Sequence, residues 1–98
     1  MELHELTAMD FRRHVGDEFR IQYGGEQPLP VRLSAVAESP HRAANLREPF
    51  SLLFHGPKDG WLRQGMYTFE HDAMGRMDIF LVPLGADAEG MRYEVIFG

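Results

Sequence analysis

Alternation is the feature that most restricts this chain. From Arg47 to Phe97 short apolar runs of period two follow one another, broken by glycine and proline: Phe50, Leu52 and Phe54; Tyr67 and Phe69; Met77, Ile79 and Leu81; Met91, Tyr93, Val95 and Phe97. Successive side chains of a strand point to opposite faces, so each run offers one apolar face to a shared interior. The expected fold is therefore mostly β. Upstream, Phe19, Ile21 and Tyr23 alternate as far as Gly24-Gly25, and Leu29, Val31, Leu33 and Ala35 alternate after it, which predicts a hairpin. Pro28 and Pro30 lack amide donors and place the start of that second strand at an edge or outside the ladder. The later strands are expected at 50–55, 65–71, about 76–82, and after the turn-rich stretch 83–90, ending at Phe97.

One helix is expected, over roughly 8–15. Thr7 suits its N-cap, Asp10 three residues on partly mimics the glutamate of a capping box, and Leu6 and Phe11 are spaced for a hydrophobic staple. Gly16 supplies a left-handed stop. Phe11, Val15 and Met9 are expected to face inward. A helix this short is unstable alone and must dock on the sheet. Residues 37–49, with Ser39-Pro40 and Glu48-Pro49, read as a long loop. About six antiparallel strands with one docked helix favour a small β-barrel or curled sheet, because closure protects edges. Phe80, Val82, Leu53 and Ile96 carry apolar character on the other parity, which calls for the helix or a second copy of the chain to cover an outer face; a homodimer is one reading of this.

At 98 residues the chain can build one core and reads as a single domain, 1–98. The formal charge of -5 offers no general attraction to phosphate backbones or anionic lipid, so neither nucleic acid nor membrane is an expected partner. The chain has no cysteine, hence neither a disulfide framework nor thiolate ligands. Its first residues lack the basic start and apolar stretch of a signal peptide, and no apolar run approaches the ~18 residues that mark a membrane span. A soluble cytoplasmic location is the expectation.

Blocks along the chain also resemble a known family: Leu6-Thr7-Ala8-Met9-Asp10-Phe11, Val15-Gly16, Glu48 to Phe54, Gln64 to His71, Phe80 to Gly85 and Arg92 to Phe97. Together they are similar to the short bacterial proteins of DUF6916, a domain of unknown function. The resemblance covers nearly the whole chain. It implies a stand-alone bacterial domain whose genes often neighbour those of phage-tail-collar-like proteins, and it transfers no catalytic residue.

The residues themselves show no reactive constellation. Histidines stand at 4, 14, 41, 55 and 71, with no pair at i, i+4 or His-x-His spacing, so no metal site is expected and they read as surface or turn residues. If the third and fourth strands pair, His55 and His71 fall at opposite ends of the ladder. Glu70-His71-Asp72 alternates faces and forms no relay, and neither Ser34 nor Ser51 sits in a nucleophile elbow. Asp87-Ala88-Glu89-Gly90 lacks the ligand spacing of a calcium loop and reads as a solvated turn. No catalytic residue and no cofactor are therefore expected. The leading expectation is a non-enzymatic structural or protein-interaction module, with the family resemblance pointing to a phage-tail-like bacterial assembly as its setting. Arg42, Arg47, Trp61 and Arg63 are its candidate contacts, since Trp and Arg are enriched at interface hot spots. The alternative is a small-molecule-binding β-barrel lined by Phe50, Phe54, Tyr67, Phe69, Tyr93 and Phe97.

Overall fold

A computed structural model describes residues 6–38, 49–59 and 61–97. Helix α1 (Ala8–Arg12) precedes strands β1 (Glu18–Gln22), β2 (Leu29–Glu38), β3 (Phe50–Gly56), β4 (Gly65–His71), β5 (Gly75–Asp87) and β6 (Gly90–Phe97). The strands close into an antiparallel barrel in the order β1-β2-β3-β6-β5-β4. Closure gives every strand a neighbour on each side.

Each inward run fills the barrel from its own strand. Phe19 and Ile21 of β1, Val31 and Leu33 of β2, Phe50, Leu52 and Phe54 of β3, Phe69 of β4, Met77, Ile79 and Leu81 of β5, and Tyr93, Val95 and Phe97 of β6 are all buried. The rings touch one another: Phe19 meets Phe54 edge-on at 5.2 Å between centroids, and Phe54 meets Phe69 at the same distance. Each such side chain contributes about 1.5–3 kcal/mol by leaving water. The aromatic set proposed to line a ligand cavity thus forms contacts within itself.

The helix is shorter than expected. It ends at Arg12, and residues 13–16 continue as turns until Gly16 takes a left-handed φ of 97°. The capping box is present with aspartate in the glutamate position: the Thr7 hydroxyl accepts from the Asp10 amide, and the Asp10 carboxylate accepts from the Thr7 amide at 2.8 Å. Ala8 and Phe11 are the buried residues of α1, whereas Met9 and Val15 are exposed, contrary to expectation. Five residues make little more than one turn, so only one narrow face reaches the core. Phe11 lies against Phe50 and Phe97, which stack at 4.7 Å. The helix therefore closes one end of the barrel, near the start of β3 and the end of β6, and leaves the outer face uncovered.

Three further expectations change. Tyr23 lies beyond β1 and is exposed. Pro30 sits inside β2, opposite Arg20 of β1, but β3 joins β2 only from Arg32, so the proline's missing donor faces an unpaired side. A bulge between Leu33 and Ala35 then reverses the parity, exposing Ala35 and turning Val36 toward the core. β5 continues to Asp87 instead of stopping near Val82, by way of a second bulge between Pro83 and Gly85. Arg92 supports that bulge by donating to the carbonyls of Gly85 and Leu84. Among the described residues no helix is long and apolar enough to cross a membrane.

Candidate functional site

Two histidine–carboxylate groups, both assembled by the barrel and neither contiguous in sequence, are the chemically distinctive features. β3 and β4 do not pair, being separated by two strands in either direction around the barrel. The ladder in which the two histidines would stand at opposite ends is therefore not formed, but the strands run oppositely, so His55 at the end of β3 and His71 at the end of β4 stand at opposite rims. Both rings are buried.

At the helix-side rim, His71 has inward parity and lies over Phe19, with ring centroids 4.4 Å apart. Its Nδ1 accepts hydrogen bonds from the backbone amides of Ala73 and Met74, at 3.0 and 3.1 Å. The ring proton therefore belongs to Nε2, which donates to Asp17 Oδ2 at 2.9 Å. His14 Nδ1 reaches the same oxygen at 3.0 Å. Hydrogen bonds from His71 and then His14 hold the Asp17 carboxyl below its ordinary value, against a smaller opposing effect of desolvation. The backbone of Asp17 is fixed as well: Gly16 donates to the Leu33 carbonyl and the Asp17 carbonyl accepts from Leu33.

At the other rim, His55 has outward parity but is covered by the bulge of β2 and the extension of β5. Its Nδ1 lies 2.5 Å from Ser34 Oγ, and its Nε2 lies 2.9 Å from Asp87 Oδ2. Asp87 is held below the ordinary carboxyl value mainly by that contact, with a further hydrogen bond from the Glu89 amide. Glu89 returns toward the group and pairs with Arg32 at 2.9 Å. Donor atoms of His55, Asp87 and Glu89 lie within 4.8 Å of one another, as do those of His14, Asp17 and His71.

Serine, imidazole and carboxylate in hydrogen-bonded sequence also occur in acyl-transfer enzymes, where the serine faces the substrate. Here a groove of about 390 Å³ beside His55 is lined by His55, Glu89, Arg32, Glu18, Pro30 and Pro57 among others, and Ser34 is not part of that lining. His55 and Glu89 face the groove; the hydroxyl stands behind the imidazole.

Sequence spacing missed both groups because each joins residues of one turn (His14 and Asp17, or Asp87 and Glu89) to a histidine far away in the chain on another strand. The readable signal for the second was the Asp87/Glu89 pair in a turn together with a histidine ending another strand; linking them needed the β3–β6 register, which sets Gly56 against Met91. Of the candidate contacts, Trp61 and Arg63 are exposed on the β3–β4 connection, while Arg42 and Arg47 lie outside the described residues. Leu62, between them, is buried, and its amide donates to the Tyr93 hydroxyl at 3.0 Å. That anchoring fixes the loop while leaving the indole outside.

No curated protein and no solved structure is significantly similar to the chain. The model of a domain of unknown function, DUF6916, matches residues 6–97. On a match that spans nearly its whole length, the chain belongs to the DUF6916 family.

Proposed function

We propose that this chain is a non-enzymatic protein-interaction module. One observation carries the reading: an apolar row on the outer face of β4, β5 and β6. Met66 and Phe80 are cross-strand partners, exposed by 66% and 47%. Two residues beyond the Val82–Glu94 pair in each strand stand Phe80 and Ile96, the latter 67% exposed. Trp61, 55% exposed, stands on the connection that leads into β4, the strand of Met66. Outward aliphatic and aromatic side chains gain nothing from this fold and gain their burial from a partner. The buried rings support the same view, since they pack against one another and hold the row in place.

Trp61 and Arg63 form the rim of the proposed surface, with Arg42 and Arg47 as further contacts. The gene neighbourhood implied by the family resemblance makes a phage-tail-like bacterial assembly the proposed setting. Cross-linked affinity purification from the native cell tests this with the wild-type chain and with a Trp61→Ser/Phe80→Ser variant whose fold is verified by circular dichroism. The expected result is a defined protein set that the variant loses. Repeated recovery of no protein, or of the same set by both chains, overturns the reading.

A further inference from the structure

We propose that His55, Asp87 and Glu89 form a binding site for one divalent transition cation of the zinc or manganese type, open to the groove that His55 and Glu89 line. The site is separate from the apolar row of β4–β6 and does not depend on it.

The donor set is one imidazole nitrogen and two carboxylates, a combination that suits first-row divalent ions better than calcium or magnesium. A ring nitrogen of His55 and a carboxylate oxygen each of Asp87 and Glu89 already lie within 4.8 Å of one another, with His55 Nε2 2.9 Å from Asp87 Oδ2, so small side-chain adjustments suffice to place them around a common point. Backbone geometry holds them there. Gly90 has a φ of 140°, and a Cβ at that position would collide with the Gly56 carbonyl oxygen, so the turn carrying Asp87 and Glu89 is seated directly on the end of β3 next to His55. The Glu89 amide donates to Asp87 Oδ1 at 2.8 Å, leaving Oδ2 toward the imidazole. Arg32 offsets part of the charge of the two acids.

Proton placement separates this group from its counterpart. A histidine that binds a cation through Nε2 must carry its proton on Nδ1 and donate it to an acceptor. His55 has that acceptor in Ser34 Oγ, whose own proton can turn to the Arg32 carbonyl at 3.4 Å. On binding, the Nε2 proton now given to Asp87 is replaced by the cation and the ring keeps one proton, moved to Nδ1. His71 has no such option: two backbone N–H groups already point at its Nδ1, and a proton there would face two donors. The group of His14, Asp17 and His71 has similar composition and spacing yet is wired against a metal, which makes it an internal control.

The test is titration of the full chain with zinc, and separately manganese, followed by histidine ring resonances (for the zinc arm) and by thermal unfolding. Expected are saturation at one ion per chain, a shift of the His55 ring without one of His71, and a melting temperature that climbs with ion concentration. Glu89→Gln lies on an exposed turn and should fold normally while losing saturable binding. Ser34→Ala should weaken binding about tenfold or more, and Asp17→Asn should leave it unchanged. Absence of saturation at millimolar ion, undiminished binding in Glu89→Gln, or a response centred on His71 overturns the proposal.

Discussion

The two rims of the barrel carry nearly the same side chains and use them differently. At the helix-side rim His71 is an acceptor for its own turn and a donor to Asp17; at the far rim His55 is a donor to Asp87 with a hydroxyl on its other nitrogen. The spacing of the donor atoms does not distinguish the groups. What does is whether backbone amides or a rotatable hydroxyl occupy Nδ1. A backbone N–H has a fixed direction and only donates, so it freezes the tautomer; a hydroxyl donates or accepts and leaves the ring free to change.

The sharpest way to break the comparison is to dislodge one turn while leaving the other. Gly90→Ala combines a left-handed φ with a collision against the Gly56 backbone, which no side-chain rotation relieves. It should cost about 3 kcal/mol in urea unfolding and separate Asp87 from His55. Gly24→Ala provides the reference. Its φ of 93° is similarly unfavourable, but the space around it is open, so about 1 kcal/mol is expected. Equal costs for the two would show that the seating of the β5–β6 turn on β3 contributes nothing.

How far each rim could be read beforehand follows from the range of the interactions. The barrel strands were legible because alternation is local, and the capping box because it lies within four residues; Asp10 serves as well as glutamate there. The bulge at Ser34 was not legible, since no local residue requires it; at the second, Pro83 and Gly85, the latter with a φ of 97°, mark a break in regular pairing that from sequence reads as the start of a turn. The two bulges decide the far rim. The first lies where Ser34 meets His55, and the second carries β5 on to Asp87, which changes a supposed solvated turn into a wall beside a buried imidazole. The exposure of Phe80 and Ile96 was equally hidden, because their alternation was visible but whether a five-residue helix could reach them was not.

A smaller effect should separate the two jobs of His71. Asparagine places an acceptor near the Nδ1 position, so His71→Asn keeps the amides of Ala73 and Met74 partnered and gives up the contact to Asp17. His71→Ala gives up both and also uncovers Phe19. The alanine variant should lose about 2–3 kcal/mol and the asparagine variant about half as much. Amide exchange provides the second reading: Ala73 and Met74 should stay protected in the asparagine variant and exchange faster in the alanine variant. If both variants lose protection equally, the acceptor role assigned to Nδ1 is wrong, and with it the contrast to His55.

The mildest perturbation is acid. The Asp17 carboxyl is held below the ordinary value of 3.8 by hydrogen bonds from His71 and His14, so within that window the unfolded chain binds more protons than the folded one. The resulting stabilisation is complete above the unfolded value and drains away as the pH falls through the lower, folded value. Glu18, Arg20 and Asp72 face the same rim beside the two imidazoles, and all of them remain in Asp17→Asn. The difference between the stability–pH curves of wild type and variant therefore isolates this carboxylate. That difference should be present in full near pH 5 and shrink steadily below about pH 4. The backbone pairing of residue 17 with Leu33 is the same in both chains and cancels in the difference, so a difference that persists undiminished into strong acid would mean that the variant's effect does not come from the ionised carboxylate and that its contacts to His14 and His71 are incidental to stability.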